Sequence, residues 1–282
     1  MRPGHPTASS LDPAPNPSCS MLRTTVLAAG ALLVSGPALQ AQEAAAPQLP
    51  AFAQKLLELP SKPFQCDLSL TAGGDGADIG AQGHIDWQDA RRFAIQLDMK
   101  VKTPFAEEPQ KAGFRLVGTG DWLYVDVDDP QQRQILKFKM DTLQRLMDAS
   151  AEQDLSSQMG IPFGPDMIKG MLSKLKFDEK TEGGRHHVST RLDESVFPEM
   201  AGTTVAAWLQ FDEKSGFPME ARFEVQEGEE KAQVELKAAN LQFPETIPAD
   251  RFEYQEPEGV FVQDMTMFLE MMLMQGAGDG EF

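Results

Sequence analysis

From Phe64 onward the chain alternates. Phe64, Cys66, Leu68 and Leu70 take every second position, and Gln65, Asp67, Ser69 and Thr71 fill the gaps. Successive side chains in a strand point to opposite faces, so this spacing predicts a strand that is apolar on one side and polar on the other. Gly73 to Asp78 predicts a hairpin loop. A second strand runs from about Ile79 to Trp87, and Asp89, Ala90 and Arg91 make a turn. Phe93, Ile95, Leu97 and Met99 then alternate with Ala94, Gln96, Asp98 and Lys100. After a loop at Thr103 to Lys111, Phe114 to Val117 and Trp122 to Val127 predict a hairpin through Gly118 to Asp121, and Gln134 to Met140 one more strand. The pattern is that of a half-buried antiparallel meander.

The period then changes. Asp141 is placed to cap a helix carrying Leu143, Leu146 and Met147. A polar loop leads to Ile161, Phe163 and Pro165, and a second helix is expected over Asp166 to Leu175, with Met167, Ile168, Met171 and Leu172 on it. Strands resume near Lys176 to Lys180, His186 to Leu192, Thr203 to Phe211, Met219 to Gln226 and Lys231 to Leu241. Upstream, Ala51 to Leu59 predicts a short helix ended by Pro60 and Pro63. Downstream, Met265 to Met274 is apolar almost all round, broken by Thr266 and Glu270, with Asp264 as a cap. Periodicity therefore predicts an α+β chain: roughly ten antiparallel strands with helices on one side, in a single domain.

Composition narrows the function. The chain has 282 residues, a formal charge of −18 and 41% hydrophobic content. That is enough apolar material for one sizeable core. The acidic balance argues against nucleic acid and anionic membrane surfaces and favours a self-repelling monomer. Met21 to Thr25 forms a basic n-region, Val26 to Val34 an apolar core, and Ala41 a small residue before a cut. This predicts a cleavable signal peptide over 21–41, hence a periplasmic protein with no transmembrane span in its mature form. Residues 1–20 read as a non-native or disordered leader, and 42–50 as an Ala/Pro linker. Cleavage leaves one cysteine, Cys66, expected to be a small buried hydrophobe rather than a reactive thiol.

No catalytic constellation stands out, and the expectation is that the chain is not an enzyme and holds no metal or cofactor. His186 and His187 fall on opposite faces of a strand, and His84 is isolated in the sequence. Gly73 to Asp78 matches one copy of a calcium repeat that works only in stacked tandem. Asp126, Asp128 and Asp129 read as a solvated acidic turn. What does stand out is apolar surplus. Phe64, Leu68, Phe93, Ile95, Leu97, Met99, Phe223 and Val225 fall on one face of the predicted sheet, and ten of the 15 methionines lie in the helical insertion and the tail. Methionine adapts to irregular ligands, so a cavity and a solid core are evenly matched on composition alone. A tail this apolar is expected to pack against its own chain, with Phe268, Met271 and Met272 as candidate plugs of such a cavity.

Several segments, in order, resemble the LolA/LolB-type lipoprotein carrier superfamily. Gly120-Asp121-Trp122-Leu123-Tyr124 is similar to that family's "dG..lW.Y" strand, and Phe211-Asp212 through Gly216-Phe-Pro218 to its "D..tG.P" hairpin. The ending, with Phe252, Pro257, Gly259, Val260 and Asp264, is similar to "lp...F.f..P.GV.V.D". The resemblance spans Ala51 to Asp264. It implies a curved antiparallel half-barrel of about ten to eleven strands, covered by a few helices, whose cavity shields acyl chains of lipoproteins or lipids. It adds Trp122, Met147, Phe163, Met167, Met171 and Leu172 to the expected acyl-chain lining, with release by displacement of the Met-bearing helices. It also implies an inner- or outer-membrane delivery protein as a partner. The family has a functional arginine beside a proline, and Arg92 is the nearest match as a candidate for controlling opening. It stands one residue out of register, a slip that turns a strand side chain to the opposite face. The alternatives are an exported interaction or sensor module with a self-filled core and, third, a hydrolase with a dispersed site.

Overall fold

The computed structural model describes residues 52, 54–55, 62–74, 77–103, 108–129, 132–153, 175–194 and 201–276. The leader, signal peptide and linker expected before residue 51, and all but the last residue of the helix expected over 166–175, lie outside them. Within them the dominant element is one sheet. Its strands are β1 (Phe64–Gly74), β2 (Ala77–Trp87), β3 (Arg92–Lys102), β4 (Gln110–Thr119), β5 (Trp122–Asp128) and β6 (Arg133–Lys139). They continue with β7 (Asp178–Glu182), β8 (Arg185–Leu192), β9 (Thr203–Asp212), β10 (Pro218–Glu227), β11 (Glu230–Gln242) and β12 (Val262–Asp264). Helix α1 covers Met140–Gln153, helix α2 covers Thr266–Gly276, and Ala249–Phe252 form a 3-10 turn. Residues 52, 54 and 55 are helical, in line with the short N-terminal helix.

The sheet is open and curved like a half-barrel, in the order β12-β6-β5-β4-β3-β2-β1-β11-β10-β9-β8-β7. Every pairing is antiparallel except β12 on β6. Twelve strands replace the expected ten or eleven. With so few helices among the described residues, the chain is mostly β rather than evenly α+β. The added strand, β12, is three residues long and too short to show a period. The edge strand β7 reads Asp-Glu-Lys-Thr-Glu and is exposed throughout, a charged edge that discourages pairing with another sheet. Asp141 lies within the first turn of α1 rather than before it. Its carboxylate pairs with Arg91 across the neighbouring turn.

Cross-strand partners share a face, so the register sorts the side chains. Phe64 faces Trp87 and Trp87 faces Phe93. Leu70 faces Ala81 on one side and Leu236 on the other. One face is therefore apolar strand after strand. On it, Phe64, Cys66, Leu68, Ile85, Trp87, Phe93, Ile95 and Phe217 form a buried cluster, with Leu123 of β5 and Met219 of β10 packed against it. A second cluster joins Leu70, Ala72, Ala81 and Val234. Phe52 packs with Val188 and Phe211 on this same face and covers its β8–β9 end.

The opposite face is polar, and a strap crosses it. After β11 the chain runs diagonally over β2 to β6 and ends by pairing with β6 as β12, which accounts for the parallel pairing. Ile247 donates its N–H to Gln88 Oε1 at 2.8 Å. Arg251 Nε donates to Asp86 at 3.0 Å, and the Tyr254 hydroxyl donates to Asp126 at 2.8 Å. Beneath the strap Val117 and Ile135 are fully buried, as are Asp86 and Asp126 within a few per cent. The closing motif of the chain is thus a clamp over the back of the sheet.

Cys66 is fully buried. Burial, and then the charges of Asp67 and Asp86, push its thiol up to about 12. A thiol-reactive dye should therefore label the folded protein more slowly than the urea-unfolded chain by a factor on the order of 10³ or more, since reaction waits on opening. Labelling at comparable rates in both states would place Cys66 outside the core.

Candidate functional site: the apolar face of the sheet

The register brings eight of the sequence-predicted lining residues together. Phe64, Leu68, Phe93 and Ile95 are buried, Leu97 and Met99 are half-buried beside them on β3, and Phe223 and Val225 join from β10. Trp122 is not with them. Leu123 faces Phe138 on the apolar side, so its neighbour Trp122 projects from the polar face, where the Lys137 ammonium lies 5.2 Å from its ring centre. Of Met147 only the backbone is described, and Phe163, Met167, Met171 and Leu172 lie outside the described residues.

Sequence reasoning missed the β4–β6 half of this face. Leu97 faces Phe114, Phe114 faces Val127, Leu116 faces Val125, and Val125 faces Leu136. All five of the residues on β4 to β6 in these pairs are half-buried. The alternation in Phe114-Arg115-Leu116-Val117 was available, but the apolar Val117 hides it. Val117 is buried on the opposite face, beneath the strap, so both faces carry oil at that point. Close approach between strands also matters here. A Cβ on Gly83 would stand 1.9 Å from the Gln96 carbonyl oxygen, so only glycine lets β2 and β3 meet opposite Leu97.

Arg92 stands at the start of β3 on the polar face and is half exposed. Its guanidinium pairs with Asp89 at 2.6 Å. Burial alone would raise the Asp89 carboxyl, but the hydrogen bonds from Arg92 and the Arg91 backbone hold it below the usual carboxylate range. Arg92 helps line an open groove of about 480 Å³ with Tyr124, Phe252 and Tyr254 under the strap. A second open groove, of about 380 Å³, lies on the same face between Trp208, Arg222, His187 and Lys180. The Arg92 side chain is therefore on the reverse of the apolar lining.

The tail helix α2 also departs from expectation. Helix α2 lies beside α1, and Leu269 is its buried residue, while Phe268 and Met271 are half exposed and Met272 partly buried. Phe268 and Met271 therefore form part of an outer ridge rather than an inward plug. Thr266 donates its N–H to Asp264 at 2.9 Å, as expected for a residue that caps the helix.

Two polar readings change as well. Asp126 belongs to β5 and not to a solvated turn, and His84 has partners. Its Nδ1 lies 2.7 Å from Asp67 and its Nε2 3.3 Å from Asp86. Among the described residues no group of three or more His, Cys, Asp or Glu side chains is set to hold a metal ion. None of their helices is long and apolar enough to cross a membrane.

No family model matches the chain, and no curated protein matches it. Among solved structures it has similarity to LprF from Mycobacterium bovis, at 11% identity and a TM-score of 0.31, over 71% of this chain and 98% of that one. It is similar to Rv2717c from M. tuberculosis at 8% identity and a TM-score of 0.23, over 68% and 100%. A DUF1329 family protein from Desulfovibrio piger gives 8% identity and a TM-score of 0.26, over 72% and 94%. These scores are too low to transfer fold or function, and the architecture stands on the strand pairing of the chain itself.

Proposed function

We propose that this chain is an exported, non-enzymatic carrier that shields the acyl chains of lipoproteins or lipids against the apolar face of its sheet. The observation that supports it most is the unbroken apolar register from Leu97 through Phe114, Leu116, Val125 and Leu136, whose side chains keep part of their surface open. Each acyl methylene moved from water onto such a surface is worth about 0.8 kcal/mol. Face and guest are both apolar, so exchange needs no nucleotide: one oily contact replaces another. Over β2 to β6 the opposite face is already closed by the strap, and a charge of −18 keeps the particle off anionic membrane surfaces while it carries its load. The motif resemblance to lipoprotein carriers and the signal-like segment over 21–41 agree with delivery across a periplasm to a membrane partner. Arg92 has no part in opening in this reading, because it sits behind the sheet.

The second reading, an interaction module with a self-filled core, has one observation in its favour. At the β1–β3 end Phe64, Trp87 and Phe93 are already closed to solvent by each other. Native mass spectrometry and a fluorescent fatty acid separate the two. A carrier retains extractable lipid and binds the probe saturably, with palmitate competing. Phe114→Glu, at a half-buried position on the apolar face, should weaken binding at least about tenfold while thermal unfolding remains cooperative. A clean apo mass with no saturable probe binding would sink the carrier reading.

A further inference from the structure

The strap covers the polar face over β2 to β6, and the β7–β10 end lies beyond it. There the register sets out two neighbouring rows of cross-strand partners. Asp178, Ser189, Trp208 and Arg222 make one row. Lys180, His187, Gln210 and Glu220 make the other, and the two rows line the open groove of about 380 Å³. Trp208 is 42% exposed, a large ring turned to water on the polar side of the sheet. The Arg222 guanidinium lies 5.4 Å from the centre of that ring. On the other side the row partner of Trp208 is Ser189, a side chain too small to cover an indole. A ring held in a central strand and left half open is a fixed platform for a flat guest.

The polar groups around the platform lack partners. Among the described residues Asp178, His187, Ser189 and Glu220 make no side-chain hydrogen bond or ion pair. Lys237 stands opposite Glu220 but pairs with Glu235. The Gln210 side-chain oxygen accepts a hydrogen bond from Arg185 at 2.6 Å, so its amide N–H groups remain to donate. The two cations of the groove are already matched, Lys180 by Glu182 and Arg222 by Glu224. Charge then selects the guest. Asp178 and Glu220 oppose a phosphate or other anion, and the guanidinium on Trp208 opposes a second cation there. Carboxylates, an imidazole and amide N–H groups together suit an uncharged guest whose hydroxyls both give and take hydrogen bonds. A pyranose ring is such a guest, because its C–H face is slightly positive and the face of an indole is negative. We propose that the groove binds a neutral sugar, one face on Trp208 and its hydroxyls on Asp178, His187, Gln210 and Glu220. The groove is on the reverse of the apolar lining, so this is independent of what that lining binds.

Titration of the full chain with maltose, cellobiose, lactose and N,N′-diacetylchitobiose tests it, read by ligand-observed NMR and by indole fluorescence. At least one of the four should bind saturably, with a Kd of about 1 mM or tighter. The guest is uncharged, so affinity should not change as salt rises from about 0.05 to about 0.3 M. Trp208→Ala removes the platform at a half-exposed position and should weaken binding at least about tenfold. Ser189→Phe fills the recess beside the ring and should do the same, with thermal unfolding still cooperative in both variants. Saturating palmitate should leave sugar binding as it was. Failure of all four sugars to bind overturns the proposal. So does binding that survives both variants, binding that palmitate displaces, or capture of inorganic phosphate or choline that Trp208→Ala abolishes.

Discussion

Replacing Trp87 with alanine should lower the unfolding free energy by about 3–5 kcal/mol, the range for emptying a buried aromatic site. Trp87 is 3% exposed and stands between two rings on adjacent strands. It stacks with Phe93 at 5.1 Å and with Phe64 at 6.1 Å. Phe64 in turn meets Phe217 edge-on at 5.1 Å. One indole therefore couples β3, β2 and β1 to the β9–β10 hairpin, and the hole it leaves cannot be closed without moving strands that are hydrogen-bonded on both sides. Domains are stable by only about 5–15 kcal/mol, so the loss is a large share of the whole. Urea titration should show a lower midpoint with an unchanged slope, and Trp87→Phe should recover part of the difference. A loss below about 1 kcal/mol would mean that this cluster is not the core.

That cluster is also where the amino-acid sequence was most legible. β1 and β3 alternate cleanly because one side packs on aromatics and the other meets water, so Phe64, Leu68, Phe93 and Ile95 could be assigned to one face from spacing alone. Legibility failed where a distant segment changes what a face touches. Val117 and Ile135 look like core residues, and they are, but of the reverse face, because a strap more than a hundred residues downstream covers them. Trp122 looks like lining, yet one step of register puts it with Tyr124 and Asp126. Asp126 looks like a turn residue beside Asp128 and Asp129; its partners Arg133 and Tyr254 make it structural, and Tyr254 lies 128 positions away. His84 hid for the same reason, since its partner Asp67 is on the neighbouring strand. Local periodicity records which side is oily. It does not record which side is covered.

Asp126 is the hub of the covered polar face, and Asp126→Asn should cost about 2–3 kcal/mol at about pH 7. Its carboxylate is almost fully buried. It accepts two hydrogen bonds from Arg133, at 3.0 and 2.7 Å, and one from the Tyr254 hydroxyl at 2.8 Å. Tyr254 stacks on Tyr124 at 4.4 Å, and the Arg115 guanidinium lies 5.5 Å from its ring centre, so the carboxylate fixes the strap to β4 and β5 as well. An amide can satisfy one of these donors but opposes another with its own N–H groups. Burial alone would raise the Asp126 carboxyl, yet Arg133 and Tyr254 outweigh it and hold the group below the usual carboxylate range. A depressed folded-state pKa gives stability that is complete above the unfolded value, about 3.9, and is lost as pH falls through the folded one. Wild type and Asp126→Asn should accordingly differ most at neutral pH and converge below about pH 4 as the wild-type carboxylate takes up its proton. Tyr254→Phe removes a single hydrogen bond and should cost about 1 kcal/mol, and the double variant should lose less than the sum because the two share that bond. Urea unfolding at about pH 7 and about pH 3 decides the matter. A gap that stays constant with pH, or additive losses in the double variant, would show that the strap is held by packing alone and that the charge at Asp126 contributes nothing to the clamp.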